Sequence, residues 1–245
     1  MAYSAVLPGR KQLDGQRNGM LTRQIFTGWM GANPMSPNRA LALLSILWNS
    51  GCAHIHLTER TLGNWIAKDI PIHPGFAFLS AVHRCDYLRA YLLHVHGGGY
   101  ADVKHTTKDW NEYFALLDRS AAFGVGYTEV GPHAVARVGG ALEDKLRANY
   151  AKLIGVCALV FRPRTEFTET WLGTIDALLD KNFEQLKRHP ARHPQDRFGI
   201  EIDGIQSEYP LVWTGVGGDI FHPLVLEHAD QIIHADIAPS FTDYR

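Results

Sequence analysis

Asp86, Arg89, Asp102, Lys104 and His105 fall within one run, Arg84 to His105, RCDYLRAYLLHVHGGGYADVKH. Two carboxylates, a guanidinium, an ammonium and an imidazole gathered in that compass suit recognition of a polar, anionic small molecule. Carboxylates accept from ligand hydroxyls, and cations meet phosphate oxygens. The spacing says how they would be held. Leu88, Tyr91, Leu92 and Val95 recur at helical spacing on one apolar face, with Asp86 and Arg89 together on another. Gly97 is a helix stop, because the residue after a last turn often adopts a left-handed backbone that glycine takes without strain. Gly98 and Gly99 let the chain turn sharply and let a backbone or a ligand approach closely, before Tyr100 to Val103 run out as a short strand. Asp102, Lys104 and His105 are then presented at a strand terminus, the place where ligands bind in open α/β sheets.

The order and spacing of Asp86, Arg89, Leu93, Gly97, Gly98, Tyr100 and Asp102 resemble the D-x-x-R-x-x-x-L-x-x-x-G-G-x-Y-x-D-x-D signature of GT-A glycosyltransferases of the sugar-binding-region and capsular-polysaccharide-synthesis type. The final Asp of that pattern is Lys104 here. The resemblance implies an α/β fold, a GT-A-like (Rossmann-like) mostly parallel central sheet flanked by helices in a single domain. It implies a UDP- or GDP-sugar donor, a glycan or other hydroxyl acceptor, and a divalent cation, Mn or Mg, held by Asp102 with the late His222. Lys104 cannot hold such a cation, but its charge can meet the donor phosphates, where negative charge accumulates as the glycosidic bond opens. Asp102, Lys104 and Asp219 are the expected catalytic residues. Glu201 and Asp203 are equally open as a general base, and a retaining reaction needs none. Donor contacts are expected from Thr27, Gly28 and Trp29, from Leu57 and Thr58, and from Asp86, Arg89, Gly98, Tyr100 and His105. Two other readings stay open: a catalytically silent module that binds nucleotide or glycan, and a nucleotide-sugar hydrolase.

Composition sets the bounds. A chain of 245 residues, 46% hydrophobic, can bury one sizeable core. Its 24 basic and 25 acidic residues give a net charge of -1, so no global field draws it to nucleic acid or an anionic membrane. The 3 cysteines, Cys52, Cys85 and Cys157, show no C-x-x-C and suit free thiols in a reducing, cytoplasmic compartment. Peripheral association with a membrane is compatible with this. No run has the length of a transmembrane helix. Residues 1–23 read as a flexible tail and 24–245 as the domain. Among the 13 histidines, His54 and His56 share a strand face but lack a third ligand, and His94 and His96 point to different helix faces.

The elements that must position the site follow from local signals. Gln24 to Trp29 reads as a strand. Ser36 is an N-cap and Pro37 the first residue of a helix running to Asn49 and stopped by Ser50-Gly51, whose apolar run predicts a helix covered against the sheet. Ala53 to Thr58 is a second strand, parallel to the first through a right-handed crossover. Thr61 to Ala67 is a short helix, Trp110 to Asp118 a helix, Ala121 to Tyr127 a strand, and Lys152 to Phe161 a buried strand. Thr165 to Arg188 carries a long amphipathic helix. His189 to Gly204 is a solvated loop or a flexible lid, and Tyr209 to Asp219 a strand entering a glycine-rich turn, where Thr214-Gly215 resembles a T-G-P-like element of the same enzymes. The tail after Ile237 is irregular.

Overall fold

A computed structural model describes residues 21–242. Most of the expected N-terminal tail, residues 1–20, lies outside the described residues. Residues 21–23 are tied down: Leu21 donates its N–H to Asp118, and Arg23 pairs with the same carboxylate at 2.6 Å.

The chain forms strands β1 (Gln24–Gly28), β2 (Ala53–Leu57), β3 (Gly98–Ala101), β4 (Gly124–Thr128), β5 (Ile154–Phe161), β6 (Glu201–Ile202), β7 (Ile205–Gln206) and β8 (Ile232–His234). The main helices are α1 (Pro37–Asn49), α2 (Ala81–Val95), α3 (Asn111–Asp118), α4 (Gly140–Ala148), α5 (Glu166–Arg188) and α6 (Gly218–Glu227). Six strands make one sheet in the order β2-β1-β3-β5-β4-β8. The strands run parallel except β5, which is antiparallel to both β3 and β4. The expected mostly parallel α/β sheet flanked by helices is therefore present, as one domain. β6 and β7 form a separate small hairpin.

Strand alternation splits the interior into two clusters. Phe26 and Tyr100 face a large cluster with α2, α5 and α6, whereas Ile25 and Ala101 face a smaller one with Ile46 of α1 and Trp110, Tyr113 and Phe114 around α3. So α1 and α2, the connections that leave β1 and β2, cover opposite faces of the sheet. Because β2 and β3 flank β1 on its two sides, the sheet order reverses direction between β1 and β3.

Caps match the local chemistry. Ser36 accepts from the Arg39 N–H with Pro37 at the first position of α1, and Thr165 and Thr168 form a reciprocal capping box on α5. Gly97, at φ 63°, follows the last residues of α2, and a side chain there would meet Pro163. Gly98, at φ 95°, is pressed against the Gln24 carbonyl: an added Cβ would lie 2.9 Å from that oxygen. The close approach expected at Gly98 is thus to the neighbouring strand, at the end of β3 remote from Asp102.

Several expectations are corrected. The α1 helix is not covered. Leu41 is 61% exposed and Trp48 72%, with Leu44 and Leu47 beside them on the outer face, while only Ala42, Ser45 and Ile46 are buried. Conversely α2 is buried on nearly every side from Tyr87 to His94, Arg89 included, and not merely along one apolar stripe. The third strand ends at Ala101, so Asp102 to Lys104 follow it as loop. Leu62 to Trp65 form a single 3-10 turn where a short helix is expected. Tyr209 to Trp213 joins no sheet. Two of its polar groups meet α2 instead: the buried His83 imidazole is bonded to the Tyr209 hydroxyl at 2.9 Å and to the Trp213 carbonyl at 3.1 Å. The segment around 190–207 is largely exposed, as expected of a solvated loop, but it is tied to the rest of the domain at a few points. Asp196 is fully buried, accepting from Ser207 at 2.6 Å and from the Arg192 N–H at 2.9 Å, and the Val82 N–H donates to the Pro194 carbonyl.

Candidate functional site

A cleft of about 200 Å³ opens at the carboxyl ends of β1 and β3. This is the topological switch point, where helices depart to opposite faces and leave a crevice between them. One wall carries Asn33 and Arg39 from the loop and first turn of α1. The other carries Cys85, Asp86 and Arg89 from α2, and Pro194 and Gln195 close the side.

The floor is a row of alternating charges. The Arg89 guanidinium, only 3% exposed, donates to Asp86 Oδ1 at 2.6 Å and to Asp102 Oδ1 at 2.8 Å. The Lys104 ammonium donates to the other oxygen of Asp102 at 2.6 Å. Arg89 also lies over the Tyr100 ring, 4.9 Å from its centre, and the Tyr100 hydroxyl donates to the Cys85 carbonyl. Burial pushes the Asp102 carboxyl up, but Lys104 and Arg89 outweigh it and hold the group well below the usual carboxylate range. Burial likewise works against charge on Lys104, and Asp102 overrides it, raising the ammonium above its ordinary value.

Of the residues expected at a donor site, Gly28, Trp29, Asp86, Arg89, Tyr100 and Asp102 line this one cleft. Lys104 does not line it; the side chain runs to Asp102 and Cys157 and is 10% exposed. Thr27 is fully buried on the α1 face, its hydroxyl bonded at 2.9 Å to both His54 and His56, so it serves the sheet. Leu57 is buried at the end of β2 and Thr58 begins a turn closed by Thr61. Neither lines the cleft, and His105 is exposed beyond it.

Asp219 and His222 lie on α6, whose N-cap Gly217 abuts Asp86: a Cβ on that glycine would sit 3.3 Å from the carboxyl group. Asp219 opens instead into a second groove, of about 590 Å³, lined with it by Leu178, Lys181, Leu211 and Val212. Its carboxyl is pushed up by burial, and its Oδ1 is buried with no hydrogen-bond partner among the described residues.

The residues expected to hold Mn or Mg, Asp102 and His222, are each engaged with other groups of the chain. Both oxygens of Asp102 already accept from cations, whose charge repels a divalent ion. His222 accepts the Ala136 N–H on Nδ1, which leaves its hydrogen on Nε2, facing Glu129 Oε2 at 3.3 Å. Among the described residues no group of three His, Cys, Asp or Glu side chains is arranged to hold a metal ion.

The arrangement can still bind a neutral or anionic polar ligand. A carboxylate has about four lone-pair sites, so Asp102 keeps some acceptor capacity beside Arg89, Lys104 and Cys157. Arg89 Nε and Asn33 Oδ1, a donor and an acceptor in the cleft walls, are buried with no partner among the described residues. Asn33, Arg39, Pro194 and Gln195 are cleft residues that the sequence does not announce. The only local signal is the position of Arg39 in the first turn after Ser36. No helix among the described residues is long and apolar enough to cross a membrane. No protein-family model matches the chain, and no curated protein matches its sequence.

Proposed function

We propose that the chain is a GT-A-like glycosyltransferase that seats a nucleoside-diphosphate sugar in the switch-point cleft and transfers the sugar to a glycan or other hydroxyl acceptor. The observation that carries this is the meeting of Asp86, Arg89 and Asp102 in one hydrogen-bonded row on the cleft floor. Residues that only stabilised their own helix would have no reason to converge on the crevice where open α/β sheets bind ligands. In this reading Asp102, kept ionised by Arg89 and Lys104, accepts from ribose or sugar hydroxyls. Arg89 Nε and Arg39 supply donors and positive charge to the diphosphate, and Trp29 offers an aromatic surface to the base. Lys104 acts from behind, through Asp102, and no metal ion is required.

The test is a panel of UDP- and GDP-sugars followed by calorimetry for binding and by release of nucleoside diphosphate in the presence of hydroxyl acceptors. Parallel arms contain manganese or EDTA. The expected result is binding and release that EDTA leaves intact; failure of every sugar nucleotide to bind would discard the proposal. One observation favours a second reading, a silent nucleotide- or glycan-binding module: both Asp102 oxygens are already engaged. Saturable binding without release, across the acceptor panel, would select it.

A further inference from the structure

Cys157, on β5, presents its Sγ 3.0 Å from Lys104 Nζ. The two side chains are held in register by more than their own contact. Lys104 is fixed by Asp102 at 2.6 Å, and the Asp102 N–H is bonded to the Cys157 carbonyl at 2.8 Å. The Tyr127 hydroxyl also bonds the Cys157 sulfur. Cys157 is half-buried, packed against the smaller interior cluster. The other thiols differ: Cys52 contacts Asn111 and Cys85 the Gly28 carbonyl. Neither of those contacts is an amine.

We infer that Lys104 and Cys157 form an oxidative crosslinking site, at which hydrogen peroxide drives a covalent bond between sulfur and the lysine nitrogen. In the first step sulfur attacks one peroxide oxygen, the O–O bond breaks, and a sulfenic acid and water result. Lys104 gives one proton to solvent, and the Nζ lone pair so freed displaces the sulfenic oxygen, which leaves as a second water carrying a further proton from nitrogen. One thiol, one ammonium and one peroxide thus give a sulfenamide, two waters and one proton. The flexible four-carbon stem of lysine lets Nζ close the remaining gap. The product nitrogen is neutral, so Asp102 is left with Arg89 as its cationic partner in the row. Peroxide thereby acts on the cleft floor without touching a cleft-lining side chain. This chemistry stands apart from the glycosyltransferase reading and is tested without any sugar nucleotide.

The experiment treats the full chain with hydrogen peroxide, digests it and maps the peptides by mass spectrometry. The expected product joins the Lys104 and Cys157 peptides with loss of two hydrogens and is released by dithiothreitol. It is absent from Cys157→Ser and from Lys104→Met, and neither Cys52 nor Cys85 yields a comparable pair. Should Cys157 of the unmodified chain advance to sulfinic acid while Lys104 remains open to acetylation, the inference is overturned. That result needs no variant to fold.

Discussion

Arg89→Met is the sharpest test of the charge row. Arg89 is 3% exposed and joins Asp86 and Asp102, which are 13% and 24% exposed. Methionine fills much of the stem volume, so packing changes little and the loss is mostly electrostatic. Removing one partner of a buried ion pair costs about 3–5 kcal/mol, because the other charge is left uncompensated. Here Lys104 still serves Asp102, so the stranded group is chiefly Asp86, which places the expected cost at the lower end, about 3 kcal/mol. Were Arg89 only a solvated helix pair with Asp86, the cost would be about 0.2–0.5 kcal/mol. Urea unfolding followed by circular dichroism separates the two cases. With a slope of about 3 kcal/mol per molar for a chain of this size, the midpoint should fall by about 1 M at unchanged slope. Adding Asp86→Asn removes the stranded charge and should restore part of the loss. A single-variant cost below about 1 kcal/mol would refute the view that one guanidinium holds the row together.

Four further outcomes are expected. His54 is kept neutral by burial and by neighbouring His56, which push its imidazole down to about 4. Between that value and about 6.5 the unfolded chain binds the extra proton, so stability should fall as pH drops through this window, and His54→Asn should flatten the decline of the urea midpoint. Below about pH 4 the depressed Asp102 carboxyl should add a separate loss that His54→Asn leaves in place. Gly98→Val should abolish soluble expression or unfold the chain well below the wild-type melting temperature, since it needs a positive φ and collides with the Gln24 carbonyl; a normal melting curve would contradict the geometry. Trp48→Gln and Leu41→Gln should change stability by no more than about 0.5 kcal/mol in the same urea assay, and a cost of several times that would mean their face is covered in solution.

What was legible in the sequence is what local chemistry decides. Ser36 with Pro37 and Gly97 after α2 mark boundaries through chemistry within a few residues, and the structure places them there. Burial was less legible, because it depends on the neighbouring layer. The Leu41, Leu44 and Trp48 spacing has the period of a covered helix, yet nothing among the described residues covers it. Arg89 reads as a polar-face residue, and only Asp102, brought near by the turn through Gly97 and Gly98, makes its burial tolerable. Tyr209 to Trp213 has strand-like residues but finds its hydrogen bonds on His83. Of the candidate site, the motif supplied the floor of the cleft. The rest of its lining, Asn33, Pro194 and Gln195 on loops and Arg39 in the first turn of α1, takes positions that only the assembled fold determines.

The two interior clusters on opposite faces of the sheet have a mechanical corollary. The wall bearing Arg39 is seated on the smaller cluster through Ile46, and the wall bearing Asp86 and Arg89 on the larger one through Tyr87 and Leu88. The mouth between them can therefore be tuned from either side independently. A methyl group added or removed beneath one helix shifts that jaw while the other keeps its footing, so the width of the opening is adjustable by substitutions that never touch an occupant.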